Sequence, residues 1–180
     1  MTHPQLPLLP NPTYGLSVCL DDNRLYIIGG SYRRDGVACK KVAYLQSGTD
    51  RWVSVSPMNI ARKFSAVCAL DHFIYVMGGD CESSCSSLER YNPTTNTWEL
   101  LSSDIGLSVG VDDRLTAFNG HLYYLAHSEK IKGGHYYNFG KQYDLSQNKM
   151  TSNIVDENRI LRTVVFIDKP DYVNRPTYNW

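Results

Sequence analysis

Two neighbouring thiols, a glycine pair written twice and a tyrosine beside two arginines are the features of this 180-residue chain that could carry chemistry. Cys81 and Cys85, in "DCESSC", have the spacing of half a zinc site. Zinc takes about four ligands, yet no second Cys or His pair stands at matching spacing. His121, His127 and His135 crowd one stretch, but no carboxylate lies at a helical metal-site spacing from them. The thiols therefore read as free, and no metal or other cofactor is expected. Gly29-Gly30 and Gly78-Gly79 would cradle a phosphate only within a G-x-G-x-x-G run that opens a helix, or ahead of a P-loop lysine. Neither pattern occurs. G-x-S-x-G, H-E-x-x-H and an evident acid/base carboxylate pair are missing too, so the chain reads as a non-enzyme. Tyr32, Arg33 and Arg34 are different: an aromatic beside guanidinium forks is the composition of an interface anchor that meets an acidic peptide. The same stretch also suits a solvated turn.

Composition narrows the partners. Lys plus Arg (18) equals Asp plus Glu (18), so no bulk field gathers nucleic acid or anionic lipid. The longest apolar runs, such as "LYII" and "RTVVFI", fall far below the ~18 residues of a membrane span, and the first residues lack a basic segment followed by an apolar one. No nucleic acid and no membrane are expected as partners. Cysteines at 19, 39, 68, 81 and 85 are odd in number, and no N-glycosylation sequon with a non-proline centre occurs. Both features favour a reducing compartment, hence a cytoplasmic location. Thirteen tyrosines among short apolar runs and Ser/Thr/Gly/Asn clusters favour an all-β chain.

The elements that would position these residues recur. "LYIIGG" at 25–30 returns as "IYVMGG" at 74–79 and, without its glycines, as "LYYLAH" at 122–127. Tyr75 lies 49 residues after Tyr26, and Tyr123 lies 48 after Tyr75. A second landmark keeps phase: Tyr44 with Trp52, Tyr91 with Trp98, and Tyr143 with Met150 in the tryptophan position. Turn residues such as Ser47-Gly48 and Asn92-Pro93 separate the members of a pair. Each unit reads as four short strands. In the second unit they fall at 64–70, 73–78, 87–91 and 97–101, and in the first at 15–20, 24–29, 40–45 and 51–55. The third has a hairpin around Asn119-Gly120, a strand over 138–144 and a weak one near 149–154, and 160–167 adds a lone strand.

Four strands per ~50-residue unit, with Gly-Gly, Tyr and Trp in phase, resemble the kelch repeat of β-propellers. The second unit, "ARKFSAVCALDHFIYVMGGD…LERYNPTTNTWELL", carries the pattern almost throughout, and the third has lost Gly-Gly to Ala126-His127. The expected fold is thus all-β, with about three four-stranded antiparallel kelch blades plus one extra strand, an incomplete propeller. The division is 1–13 as a link, 14–56, 57–104 and a degenerate 105–158 as repeats, and 159–180 as the lone strand and tail. The glycine pairs and the landmarks Tyr44, Trp52, Tyr91, Trp98 and Tyr143 are read as structural. Arg62 stands before the second unit's inner strand, where the resemblance puts an arginine near the channel mouth, either bracing a loop or meeting a ligand carboxylate.

The resemblance is strongest to the C-terminal part of BTB-kelch adaptor proteins, in which a BTB domain binds a cullin and the propeller captures a ubiquitination substrate. It implies a protein-interaction module whose loops at 31–38, 80–86 and 127–134, with 56–62 and 104–113 entering from the other connection, bind a partner, and Tyr32, Arg33, Arg34, Arg62, His127 and Lys130 are the candidate contacts. The alternatives it carries are a kelch-type sugar oxidase or mutarotase and an actin-binding scaffold. Three units do not close a ring. The expectation is a fragment of a longer ring, self-associating through its open blade faces.

Overall fold

The structure is a computed structural model that describes residues 9, 14, 17–21, 23–49, 51–80, 86–107, 109, 113–127 and 138–151. Twelve strands occur among them. The first sheet holds β1 (Ser17–Asp21), β2 (Arg24–Ile28), β3 (Val42–Gln46) and β4 (Arg51–Val55). The second holds β5 (Ala66–Leu70), β6 (Phe73–Met77), β7 (Leu88–Asn92) and β8 (Thr97–Ser102). The third holds β9 (Arg114–Phe118), β10 (His121–His127), β11 (Asn138–Asp144) and β12 (Lys149–Met150). In every sheet the strands lie in chain order, each antiparallel to the next. The lone strand expected at 160–167, the link at 1–13 apart from Leu9, Cys81, Cys85, Lys130 and His135 lie outside the described residues.

Local chemistry sets the hairpins. Asp71-His72 and Asn119-Gly120 both take positive φ at both positions, which turns a chain back in two residues while matching the twist of the flanking strands. The β7–β8 and β11–β12 turns each end on an asparagine at φ 54°, Asn96 and Asn148. Tyr91 donates its hydroxyl to Asn96 Oδ1 at 2.9 Å, and Tyr143 makes the same bond to Asn148 Oδ1. The repeated tyrosine thus holds the left-handed turn that follows its own strand.

The sheets stack face to face as blades. β1 lies against β5 and β5 against β9, so the first strands of the three sheets are neighbours along the inner edge. Tyr26, Ile28, Val42 and Met58 of the first blade and its outgoing link meet Ile74, Val76 and Tyr91 of the second. On the opposite face of the second blade, Tyr75, Met77 and Leu88 meet Leu115, Leu122, Tyr124 and Tyr143 of the third. Both faces of β6 are therefore covered, and its sequence is a continuous apolar run instead of an alternating one. An aromatic series, Tyr44–Tyr26–Tyr91–Trp98, crosses the first interface with centroid separations of 5.4, 6.2 and 5.0 Å. Burial there, followed by the neighbouring Tyr26, pushes the Tyr91 hydroxyl up to about 12.

Register corrects one landmark. Tyr91 pairs with Trp98, but in the first blade the residue opposite Trp52 is Leu45, not Tyr44. Tyr44 instead pairs with Tyr26 and turns to the interface with the second blade. The spacing from Leu45 to Trp52 equals that from Tyr91 to Trp98, so the first unit has no longer turn. A one-residue step along a strand moves a side chain to the other face, and the tyrosine has simply changed faces. β5 is also shorter than expected at its start, because Phe64 adopts φ 57° and cannot lie in a strand.

The glycine pairs end β2 and β6 for two reasons. All four glycines have φ between 60° and 95°, a region costly to residues with a Cβ. They also lie where the next blade's lead-in comes closest. A Cβ on Gly29 would press into the Arg62 carbonyl oxygen, and one on Gly78 into the Val109 side chain. In the third unit, where Ala126-His127 replaces the pair, the strand runs on: Ala126 pairs with Phe139 and His127 with Asn138. Gly48 offers the control, having φ 76° but nothing within 4 Å of an added Cβ. We expect Gly48→Ala to cost about 1–2 kcal/mol, the penalty of the left-handed backbone alone. Gly29→Ala should cost clearly more, since Arg62 must also shift. Urea midpoints of the two variants measure this, and equal losses would show that the close approach is not a constraint.

Candidate partner-binding face

One end of the first two blades gathers the loop 29–41, the link 56–63 that leads from β4 to β5, and the turn after β6. The link is tied down at both ends. At its start, Ser56 donates its N–H to Asn96 Oδ1 at 2.9 Å and accepts from Trp98 Nε1 at 2.8 Å. At its far end stands Arg62, which has no exposed surface.

Every direction of the Arg62 side chain is used. Nε and Nη2 donate to Glu89 Oε1 at 3.2 and 3.0 Å, Nη1 donates to the Gly78 carbonyl at 2.8 Å, and Nη2 donates to Ser87 Oγ at 2.7 Å. Glu89 is equally buried. Its remaining capacity accepts the backbone N–H groups of Asn59 at 2.7 Å and Ile60 at 3.2 Å. Burial lowers the Arg62 pKa and the Glu89 carboxylate opposes that. The hydrogen bonds of the pair stand in for the water that burial removes. The Arg62 backbone reaches the other way, donating to the Cys39 carbonyl at 3.1 Å and accepting from Gly30 N at 2.8 Å. One residue therefore joins the first blade by its backbone to the second by its side chain. Of the two roles that sequence left open, this geometry is that of the brace.

The loop beyond Gly30 is firm at its base and open at its tip. Cys39 N donates to the Gly30 carbonyl at 2.9 Å, Gly36 N donates to the Arg33 carbonyl at 3.0 Å, and Ser31 Oγ also donates to that carbonyl. From the second blade, Lys63 Nζ reaches the Gly36 carbonyl at 3.2 Å while pairing with Asp80 at 3.0 Å. Tyr32, Arg33 and Arg34 are exposed, and so is Val37, at 70%. Lys41 Nζ donates to the Tyr32 hydroxyl at 2.7 Å, and that bond raises the lysine pKa.

The candidate contacts thus separate. Tyr32, Arg33 and Arg34 share one exposed loop, and Arg62 lies beneath it in the interior. His127 closes β10 in the third blade, and Lys130 lies outside the described residues. Sequence reasoning missed Glu89, Val37, Lys40 and Lys41. Glu89 had a visible signal, a carboxylate inside the strand "SLERY" just after a Leu that is wholly buried. Among the described residues, no three His, Cys, Asp or Glu side chains group to hold a metal ion.

The family described as "Kelch motif" matches residues 12–59 and 61–104, together more than half of the chain. The chain belongs to the kelch family. Its kelch relatives include mouse Kelch-like protein 15, 29% identical over 165 residues that cover 78% of this chain and 26% of the relative. An F-box/kelch-repeat protein of Arabidopsis thaliana is 33% identical over 113 residues, covering 59% of this chain and 32% of its own. Mouse Kelch domain-containing protein 7A is 30% identical over 97 residues, covering 53% and 12%. The chain spans about a third or less of the length of the curated relatives it matches. Among solved structures, that of YjhT superposes with a TM-score of 0.66 at 18% identity over 81% of this chain and 52% of that one, which shows the propeller-blade fold.

The brace makes a direct prediction. Arg62→Met leaves the Glu89 carboxylate buried without its partner and should cost about 3–5 kcal/mol. Arg62→Met/Glu89→Gln, which leaves no buried charge and keeps one acceptor oxygen where Asn59 and Ile60 use two, should cost less. Chemical denaturation of both variants checks the order; an Arg62→Met chain as stable as the wild type would remove the brace from the account.

Proposed function

We propose that this kelch chain, a protein-interaction module, is the substrate-recognition part of a cullin-RING ubiquitin ligase adaptor. It acts by capturing a protein partner, performs no chemistry of its own and works in the cytoplasm. The observation that carries the capture role is the 31–38 loop: its base is tied to both blades while Tyr32, Arg33, Arg34 and Val37 remain exposed. A loop held in one conformation loses little entropy on binding, so its exposed aromatic and cationic side chains suit recognition. The adaptor role is supported by the likeness to Kelch-like proteins and to an F-box/kelch-repeat protein, whose name joins an F-box to kelch repeats.

The test is proximity labelling in cells by the tagged chain, with and without a blocker of cullin activation. The expected result is a labelled protein that is lost with Tyr32→Ala and becomes more abundant when cullins are blocked. A labelled protein that depends on Tyr32 but is indifferent to cullin blockade would retain the interaction module and discard the ligase role. The absence of any Tyr32-dependent protein would discard both.

A further inference from the structure

We infer that the first-blade end of this face takes an acidic peptide segment with an apolar side chain among its carboxylates, an inference that rests on the interaction reading above. Between residues 31 and 41 stand Arg33, Arg34, Lys40 and Lys41 against the single carboxylate of Asp35. All five are exposed. The whole chain is formally neutral, so this cluster is a local excess of positive charge and not a share of a general one. Among the described residues, neither Arg33 nor Arg34 pairs with a carboxylate. Their guanidinium forks match carboxylates in a two-point geometry that lysine does not offer.

Two apolar surfaces lie within the same cluster. Val37 is 70% exposed and Tyr32 66%, the largest exposures among the exposed large hydrophobic residues described. The Lys41 ammonium lies 5.4 Å from the Tyr32 ring centre as well as bonding its hydroxyl, so the ring stands in a fixed attitude. A ligand of alternating acidic and apolar character would satisfy both surfaces. Nucleic acid would use the cations but leave Val37 without a match, and its backbone needs a longer basic track than one loop gives. Orientation is set from the second blade. Asp80, whose side chain is 60% exposed, pairs with Lys63 at the edge of the loop and repels carboxylates that stray across the blade boundary.

The measurement is fluorescence anisotropy of the full chain with a labelled Glu-rich peptide carrying one Leu. Its comparison probes are the same peptide with Gln for Glu, a single-stranded DNA oligonucleotide and phosphatidylserine vesicles. The expected result is binding of the Glu peptide that weakens as salt rises, falls at least about tenfold in Arg33→Ala/Arg34→Ala, and persists in the distant Arg51→Ala. The Gln peptide should bind at least about tenfold more weakly. No binding of the Glu peptide, equal binding of the Glu and Gln peptides, or tighter binding of DNA or vesicles would overturn the inference. Cell labelling with the Arg33→Ala/Arg34→Ala chain separates the two levels: a partner still labelled there but lost with Tyr32→Ala keeps the interaction module and overturns only its acidic specificity.

Discussion

A charge pair with no exposed surface holds the link between two blades, and the positions of the loops above it follow from that. Replacing such a pair by apolar residues often leaves a protein no less stable, whereas removing one partner is expensive. Arg62 and Glu89 therefore contribute more to geometry than to net stability. The guanidinium can satisfy Glu89, Ser87 and the Gly78 carbonyl together in only one arrangement. That arrangement delivers the Arg62 backbone to Gly30 and Cys39, where the 31–38 loop leaves and rejoins the first blade.

The pair belongs to the second blade and is not repeated among the described residues. Lys141, two residues before Tyr143, stands where Glu89 stands before Tyr91. At the lead-in to the third blade the buried carboxylate of Asp113 instead accepts from the Tyr124 hydroxyl, whose pKa is raised by burial and then by that carboxylate. Apolar contact between blades is common to both interfaces, but the polar device that fixes each link differs. A repeat can thus keep its packing while varying the loops it presents, which suits a scaffold whose blades share one fold and whose binding faces need not match.

Much of this was legible in the residues. The period and the four strands per unit follow from spacing and turn chemistry, and the sheets agree. The third unit shows the limit of such reading. Its spacing shows that the glycines are lost, but not that the strand continues through Ala126 and His127 and keeps its partners in β11. Tyr44 shows another limit: identity of residue type concealed a change of face that only pairing to Trp52 reveals. Arg62 could be placed near the loops from its position, but its role depends on Glu89, 27 residues away in sequence, and on which strand face meets the link.

The link 56–63 is held to the packed interior by the buried Met58 and Arg62 and is not a surface tether. Native-state hydrogen exchange of the Gly30, Asn59, Ile60 and Arg62 amides tests it most directly, with the β6 amides as the interior standard. These four amides should exchange only with the same opening that exposes β6. Exchange at rates near those of a free loop, while β6 stays protected, would contradict it.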